Sequence, residues 1–186
     1  MERDYLPRLY DDVLAWYRSA DAKAQLLLTL DGVFVTVTAA AVFAKPEELV
    51  ARKASISVLA WVLLAAAAVG VVSSVICAIA CLYSRLSTAN IDRLISDWGV
   101  LPDDVESYRP AVGWWFGFIA VLPRPQITTF LQRMDGDLQQ EALANNVALL
   151  SVNVLSKHRW ANRGWILASS GIVLLALSGI VQVITV

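Results

Sequence analysis

Residues 54–84, ASISVLAWVLLAAAAVGVVSSVICAIACLYS, form the stretch that decides the fold, because they run for 31 residues without a charged side chain. A helix needs about 20 apolar residues to cross the hydrocarbon core of a bilayer. Two further stretches reach that length: residues 24–44, interrupted only by Asp31, and residues 164–186, with no charge. The sequence therefore predicts an all-α integral membrane protein with three transmembrane helices.

The composition agrees with a membrane protein and excludes several other classes. Of the 186 residues, 58% are hydrophobic and 17% are charged, whereas soluble domains average about 45–50% and 25%. The 15 Lys and Arg nearly balance the 16 Asp and Glu, so we expect no nucleic-acid polymer as a partner. Cys77 and Cys81 lie four residues apart on one helix, and no further ligand nearby completes a metal site.

The predicted domain organisation places a helical region between spans two and three. Basic residues number four before span one, three in the first loop and eight between spans two and three. The positive-inside rule therefore predicts a cytosolic N-terminus and an external C-terminus. The expected segments are a cytosolic N-terminal helix 1–23, transmembrane 1 at 24–44, an external loop 45–55, transmembrane 2 at 56–84, a cytosolic helical region 85–162 and transmembrane 3 at 163–186.

Start and stop signals divide the cytosolic region. We expect span two to continue as a helix to Gly99, which suits the residue after a helix end. Residues 111–122 are apolar but too short to cross a bilayer. Pro125 suits the first turn of a short helix that ends near Met134.

The last cytosolic helix is expected to be continuous with span three. Asp137 and Gln140 resemble a capping box at its start. The apolar stripe Leu143, Val147, Leu150, Val154 requires a partner surface, and no stop signal follows it. We therefore expect one helix of nearly 50 residues, and a second helix that runs from the N-terminal segment into span one.

Asp31 is the most informative single residue, because an acidic side chain inside a span is costly and marks a functional site by default. It would line a water-filled path or make an inter-helix polar contact. The alternative is a displaced membrane boundary, with the span beginning at Gly32.

Small residues form a seam on each of the other two spans, which permits close helix packing in lipid. The seams join helices within one chain or between chains, and the spacing leaves this open. Three spans are few for a conduit, so a pore would require a homo-oligomer. The seam residues are Ala66, Gly70, Ser73, Cys77 and Cys81 in span two, and Gly164, Ala168, Gly171, Leu175, Ser178 and Gln182 in span three.

An aromatic cluster between two arginines is the candidate ligand site. Aromatic and guanidinium planes stack nucleobases, and an arginine can meet a phosphate. The commoner role of aromatic residues near a membrane is interfacial anchoring. The candidate residues are Arg109, Trp114, Trp115, Phe116 and Arg124.

Signatures of an enzyme are absent from the sequence. It contains no nucleophile elbow, P-loop or GxGxxG turn. The single histidine, His158, stands between Lys157 and Arg159, a basic cluster typical of a headgroup anchor beside a membrane span. We expect no enzymatic activity, no cofactor and no metal.

Three stretches resemble the transmembrane effector proteins of Pycsar antiphage systems. Residues 19–24, SADAKA, followed by the leucines 26–28 and by Asp31-Gly32, are similar to the start of that family's first span. Residues 115–120, WFGFIA, and the helix from residue 137 to 163 are similar to its later elements. The resemblance covers about residues 10–180, and the motif residues that it carries over are Asp21, Lys23, Gly117 and Lys157.

The resemblance implies a two-gene bacterial defence module. A neighbouring cyclase makes a cyclic pyrimidine mononucleotide, cCMP or cUMP, and the effector impairs the inner membrane, which causes abortive infection. Region 85–162 would be the sensor, and the implied partners are membrane lipid, the cyclic nucleotide and further copies of the chain. The alternatives are a constitutive membrane scaffold that docks a protein partner and a related pore-forming effector gated by a cyclic oligonucleotide.

Overall fold

A computed structural model of the chain describes residues 5–43, 57–83, 93, 95–114 and 116–185, with backbone only for 41–43, 111, 114, 116 and 185. Within these ranges the secondary structure is helical and contains no strand, as predicted. The helices are α1 (Tyr5–Phe43), α2 (Val58–Leu82), α3 (Phe116–Val121), α4 (Arg124–Arg133) and α5 (Gly136–Thr185), with short 3-10 helices at Val105–Ser107 and Pro110–Trp114.

Among the described residues, three helices are long and apolar enough to cross a membrane, in agreement with the three predicted spans. They are α1, α2 and α5. The side chain of Ser57 caps α2 by accepting a hydrogen bond from the Ala60 N–H at 3.2 Å, which satisfies one of the free donors at a helix start. The predicted external loop, residues 45–55, lies outside the described residues.

Helices α1 and α5 are much longer than a bilayer requires. Helix α1 has 39 residues and α5 has 50, about 75 Å at 1.5 Å per residue. The predicted continuous last helix is therefore confirmed. The predicted capping box at Asp137 is wrong, because the Asp135 carboxylate accepts the hydrogen bond from the Leu138 N–H at 2.9 Å and Gly136 is already helical.

The predicted continuation of span two to Gly99 as one helix is also wrong. The Tyr83 N–H makes a last bond to the Ile79 carbonyl, and Tyr83 then turns into extended backbone with ψ of 118°. Gly99 does close a helical turn, because its φ is +63° and the Val100 N–H bonds to the Ile95 carbonyl at 3.0 Å. Residues 84–92 lie outside the described residues.

The chain forms two compact units. The head unit comprises Met1–Tyr17 and Ser84–Leu155, and the membrane unit comprises Arg18–Tyr83 and Ser156–Val186. Helices α1 and α5 each contribute residues to both units. Apart from Ser84, the three apolar, membrane-length stretches of the sequence fall in the membrane unit.

The head unit has two apolar clusters. The first is built from large side chains of residues 100–130: Val100, Tyr108, Val112, Phe118, Leu122, Ile127 and Phe130. In the second, Val13 of α1 packs with Val147 and Val154 of α5, so the predicted stripe on α5 finds its partner surface. Burial of Val112, Phe118 and Leu122 shows that the apolar piece 111–122 contributes to the core of the head unit.

Candidate functional site

The membrane unit is packed through small side chains. Its buried cluster contains Leu27 and five smaller residues: Ala24, Ala78, Cys81, Ala161 and Ala168. A Cβ atom built on Gly70 would lie 3.2 Å from the Leu167 carbonyl oxygen, and one on Gly171 would lie 3.2 Å from that of Ala67. The backbones of α2 and α5 therefore approach closely, and the small-residue seams join helices within one chain.

The seam on α5 is as predicted, but the seam on α2 differs from the prediction at two of its five positions. Gly164, Ala168, Gly171 and Ser178 are buried on α5. On α2, Ala67 and Ser74 are buried whereas Ala66 is exposed. Gly70, Cys77 and Cys81 belong to both rows. Ala66 was predicted in place of Ala67, and Ser73 in place of Ser74, because side-chain volume alone does not distinguish each residue from its identical neighbour.

Asp31 makes a buried polar contact between the first and second spans. The hydroxyl of Ser74 on α2 donates a hydrogen bond to Asp31 Oδ2 at 2.8 Å, and Asp31 is only 3% exposed. Hydrogen bonds of this kind between helices contribute to association in lipid, where a buried polar group has no water to bind. Asp31 thus lies in an inter-helix contact of the kind proposed for it from the sequence.

Two further polar contacts link α2 to α5. The Ser178 hydroxyl donates to the Ala60 carbonyl at 2.8 Å, and the Ser57 N–H donates to Gln182 Oε1 at 3.3 Å. Asp31, Ser74 and Ser178 are the buried polar side chains in the described part of the membrane unit, and each has a hydrogen-bond partner. The buried polar side chains of the described bundle are therefore satisfied within one chain.

Two of the four family-motif residues meet in the structure. Lys157 Nζ of α5 lies 2.5 Å from Asp21 Oδ1 of α1, and the side chains are 13% and 28% exposed, respectively. Lys23 is exposed two residues after Asp21, and Gly117 is buried in the head unit. The sequence identified Asp21 and Lys157 by resemblance, but nothing in their spacing of 136 residues showed that they pair.

The predicted ligand residues lie in the head unit, where the structure describes two of their five side chains. Arg109 and Arg124 are both exposed. Trp115 and the side chains of Trp114 and Phe116 lie outside the described residues. The neighbouring Phe118 is fully buried and packs against Trp98 with ring centroids 5.0 Å apart, so Phe118 serves the core.

Arg124 stands at the start of α4, where Pro123 provides no side-chain cap. Free N–H groups at a helix start attract anions. Two residues further on, Gln126 Oε1 is the buried side-chain oxygen without a hydrogen-bond partner within the described residues. No sequence pattern marks Gln126, because the burial of its side-chain oxygen is a property of the folded chain.

Tyr108 anchors the loop that leads to the aromatic cluster. Its hydroxyl donates to the Pro102 carbonyl at 2.6 Å, and its ring meets Phe130 edge-on at 5.6 Å. Burial raises the pKa of Tyr108, and the nearby carboxylates of Asp103 and Asp104 raise it further. Tyr108 therefore remains a neutral donor at physiological pH.

The basic cluster that follows Ser156 includes an aromatic contact. The Arg163 guanidinium lies over the Trp160 ring, 5.5 Å from its centroid. Cationic and indole groups together are typical of a membrane interface. Across the part of the chain that the structure describes, no group of three His, Cys, Asp or Glu residues is placed to hold a metal ion.

Comparison with known protein families identifies the family of this chain. The family model described as the Pycsar effector protein domain matches residues 5–184, which runs from the start of α1 to within one residue of the end of α5. The matched range contains both units and all four motif residues. No curated protein and no solved structure matches the chain.

Proposed function

Because the chain belongs to the Pycsar effector family, we propose that it responds to cCMP or cUMP and then impairs the bacterial inner membrane. Membership makes it an effector of antiphage defence, and its proposed signal is a cyclic nucleotide made by a partner cyclase. Its proposed action is physical and not enzymatic: a change of helix packing that breaches the bilayer. The infected cell would stop growing before phage mature.

The observation that carries this proposal is the continuity of α1 and α5 through both units. Helix α5 supplies Val147 and Val154 to a core of the head unit, and Ala161 and Ala168 to the core of the membrane unit. Because an α-helix transmits displacement along its axis, repacking of the head segment of α5 would displace its membrane segment. A soluble signal therefore has a physical route into the bilayer.

The closed packing of the membrane unit supports a silent resting state. Glycines at 70 and 171 bring backbones together, and the Asp31–Ser74 hydrogen bond is buried. Shifting such a state from about 1% to 99% active requires a differential binding free energy of about 5.5 kcal/mol. Several ligands acting on one assembly supply this more readily than one ligand does.

We propose that the active form is a homo-oligomer. The small-residue seams are occupied within the chain, so contacts between copies must use the remaining surface. Exposed side chains of the membrane unit include Val33, Val69, Ile76, Ile172 and Ile180, which suit lipid or a second copy equally well. Three spans per chain are few for a conduit, and closed symmetric assemblies are the usual solution.

The proposed ligand site comprises two arginines of the head unit and the aromatic residues that lie between them in the sequence. In this proposal Arg109 and Arg124, both exposed, bind the ligand phosphate, and the aromatic residues Trp114, Trp115 and Phe116 stack its base. Residues 85–163 contain eight basic and eight acidic side chains. A nearly neutral region of this kind suits a small, singly charged ligand better than a polyanion.

The proposed orientation places the N-terminus in the cytosol and the C-terminus outside. The basic residues Lys157, His158, Arg159 and Arg163 would then lie at the cytosolic face, as the positive-inside rule requires. The head unit would face the compartment in which a cyclase makes the nucleotide.

Co-expression with a cyclase tests the proposed function in cells. We expect the chain to be harmless alone and to stop growth, with uptake of a membrane-impermeant dye, when a pyrimidine cyclase is co-expressed. A cyclase with an inactivated active site and an active adenylate cyclase are the matched controls. A constitutive scaffold would be indifferent to every cyclase, and growth unaffected by cCMP and cUMP producers would contradict the proposal.

A further inference from the structure

The Asp21–Lys157 ion pair lies where all three long helices meet. Around it, Ala20 of α1, Cys81 of α2 and Ala161 of α5 are fully buried. The Cys81 thiol lies 3.4 Å from the Lys157 carbonyl and 3.7 Å from that of Ala20. The pair is therefore held inside a tight layer made by three helices, unlike the Arg133–Glu106 pair, whose side chains are 57% and 80% exposed.

Lys157 occupies an inward position in a long regular series on α5. Inward residues recur every three or four positions, the spacing of a coiled-coil seam, and Lys157 is the charged member. The buried or half-buried series is Leu143, Val147, Leu150, Val154, Lys157, Ala161, Gly164, Ala168 and Gly171.

Helix α1 carries a matching series, and the acidic partner of Lys157 stands next to it. The buried or half-buried positions are Val13, Tyr17, Ala20, Ala24, Leu27 and Asp31. Asp21 follows the fully buried Ala20, so its carboxylate reaches Lys157 across the seam. A single polar residue at an inward seam position is a known device for setting the register of two helices, at a cost in stability.

We propose that Asp21 and Lys157 set the register of α5 against α1 and so hold the membrane unit in its closed packing. Rotation or sliding of α5 would carry the Lys157 ammonium away from the Asp21 carboxylate, although both side chains are largely removed from solvent. A charge buried without its partner is strongly unfavourable. The small residues on either side tolerate several registers, so the ion pair selects one of them.

We call this ion-pair constraint on helix register the lock. It rests on the proposed function and explains how the effector is kept inactive without nucleotide. Unit boundaries fall at Tyr17–Arg18 on α1 and at Leu155–Ser156 on α5. Asp21 and Lys157 are thus the fourth and second residues of the membrane unit on their helices. Movement arriving along either helix reaches this layer before it reaches the Asp31–Ser74 contact.

Charge removal and charge exchange test the lock. Purified full-length chains are placed in dye-filled liposomes, and release is measured without nucleotide. We expect Asp21→Asn and Lys157→Met to raise basal release about tenfold, the factor that corresponds to 1.4 kcal/mol, and the exchanged variant Asp21→Lys/Lys157→Asp to restore the wild-type rate. Glu106→Gln, which removes a charge from the exposed pair, is the matched control and should remain silent.

The nucleotide concentration for half-maximal release gives a second readout. The lock predicts that the single variants reach half-maximal release at a lower concentration of cCMP or cUMP. If the variants were only unstable, both the amount of protein in the membrane and the maximal release would fall. If a single variant fails to reach the membrane, the exchanged variant decides: recovery of both amount and silence supports the lock, and absence of recovery overturns it.

Failure of the lock and failure of the proposed function give different results. The lock would be overturned if the single variants had the basal dye release of the wild type, or if the exchanged variant released as much dye as the single variants. Either result would overturn it even if wild-type chains respond to nucleotide. The proposed function would be overturned, and the lock supported, by a different set of results. Wild-type chains would release no dye with any nucleotide, the single variants would release dye without nucleotide, and the exchanged variant would release none.

Discussion

The cores of the head unit and of the membrane unit are built from opposite kinds of side chain. The head unit buries Tyr108, Phe118 and Phe130 with aliphatic neighbours, whereas the membrane unit buries alanines, a cysteine and Leu27. In water, burial of large apolar surface drives packing. In lipid that driving force is absent between helices, and close backbone approach and polar contacts replace it.

The difference predicts which substitutions should destabilise each unit. The head unit depends on volume filled by a few rings, so truncation should damage it most. The membrane unit depends on the absence of volume at glycines and on a few polar contacts, so enlargement and loss of hydrogen bonds should damage it most.

The largest expected effect is from Phe118→Ala in the head unit. Phe118 is fully buried, and such a truncation costs about 3–5 kcal/mol. Limited proteolysis and urea unfolding of the detergent-solubilised chain should show a destabilised head unit, with the protein still in the membrane fraction. Ile119→Ala, at a neighbour that is 36% exposed, should have a much smaller effect; equal losses would contradict the comparison.

Gly171→Leu should have the next largest effect, in the membrane unit. A Cβ at Gly171 already lies 3.2 Å from backbone of α2, and overpacking of this kind costs about 1–3 kcal/mol. Gly179→Leu is the matched control on the same helix, because a Cβ there meets nothing within 4 Å. Thermal unfolding in detergent should distinguish the two, and identical midpoints would show that α2 and α5 do not pack closely.

Asp31→Ala and Ser74→Ala should have a smaller effect. Polar contacts between membrane helices contribute about 0.6 kcal/mol on average, up to about 1.7 kcal/mol. A double-mutant cycle on unfolding should recover a coupling in this range, and we expect Asp31→Ala to insert normally while altering nucleotide-triggered leakage. Additive single effects with unchanged leakage would make Asp31 a boundary residue.

The smallest expected effect is from Glu106→Gln. It breaks the exposed ion pair with Arg133, and pairs of this kind contribute about 0–1 kcal/mol because water and salt screen them. Urea unfolding of the head unit should be nearly unchanged. A loss as large as that of Phe118→Ala would mean that polar contacts, and not ring packing, hold the head unit together.

Sequence reasoning predicted the long elements well and the short-range geometry less well. Hydrophobic runs and missing stop signals were enough for three spans and for the 50-residue α5. The end of α2 at Leu82 was missed, because no Gly or Pro marks it. The predicted seam on α2 contained Ala66 in place of the buried Ala67, because two neighbouring alanines have the same volume and the sequence does not show which of them is buried.

For the candidate site residues, too, the sequence indicated single residues better than it indicated their contacts. Asp31 was singled out because a charge in a span is costly, and the structure supplies its partner, Ser74. The pairing of Asp21 with Lys157 required the three-dimensional structure, since it joins residues 136 positions apart. The buried, unpaired side-chain oxygen of Gln126 could not be predicted either, because its burial depends on the folded structure.

Release of a dye from sealed liposomes that contain the purified chain tests the central claim, that a nucleotide signal in the head unit opens the membrane unit. Nucleotide is added from the side that the head unit faces, with cAMP as the matched purine control. We expect cCMP or cUMP to trigger release and cAMP to leave the liposomes intact. No release with any of the three, or the same release without nucleotide, would contradict the account.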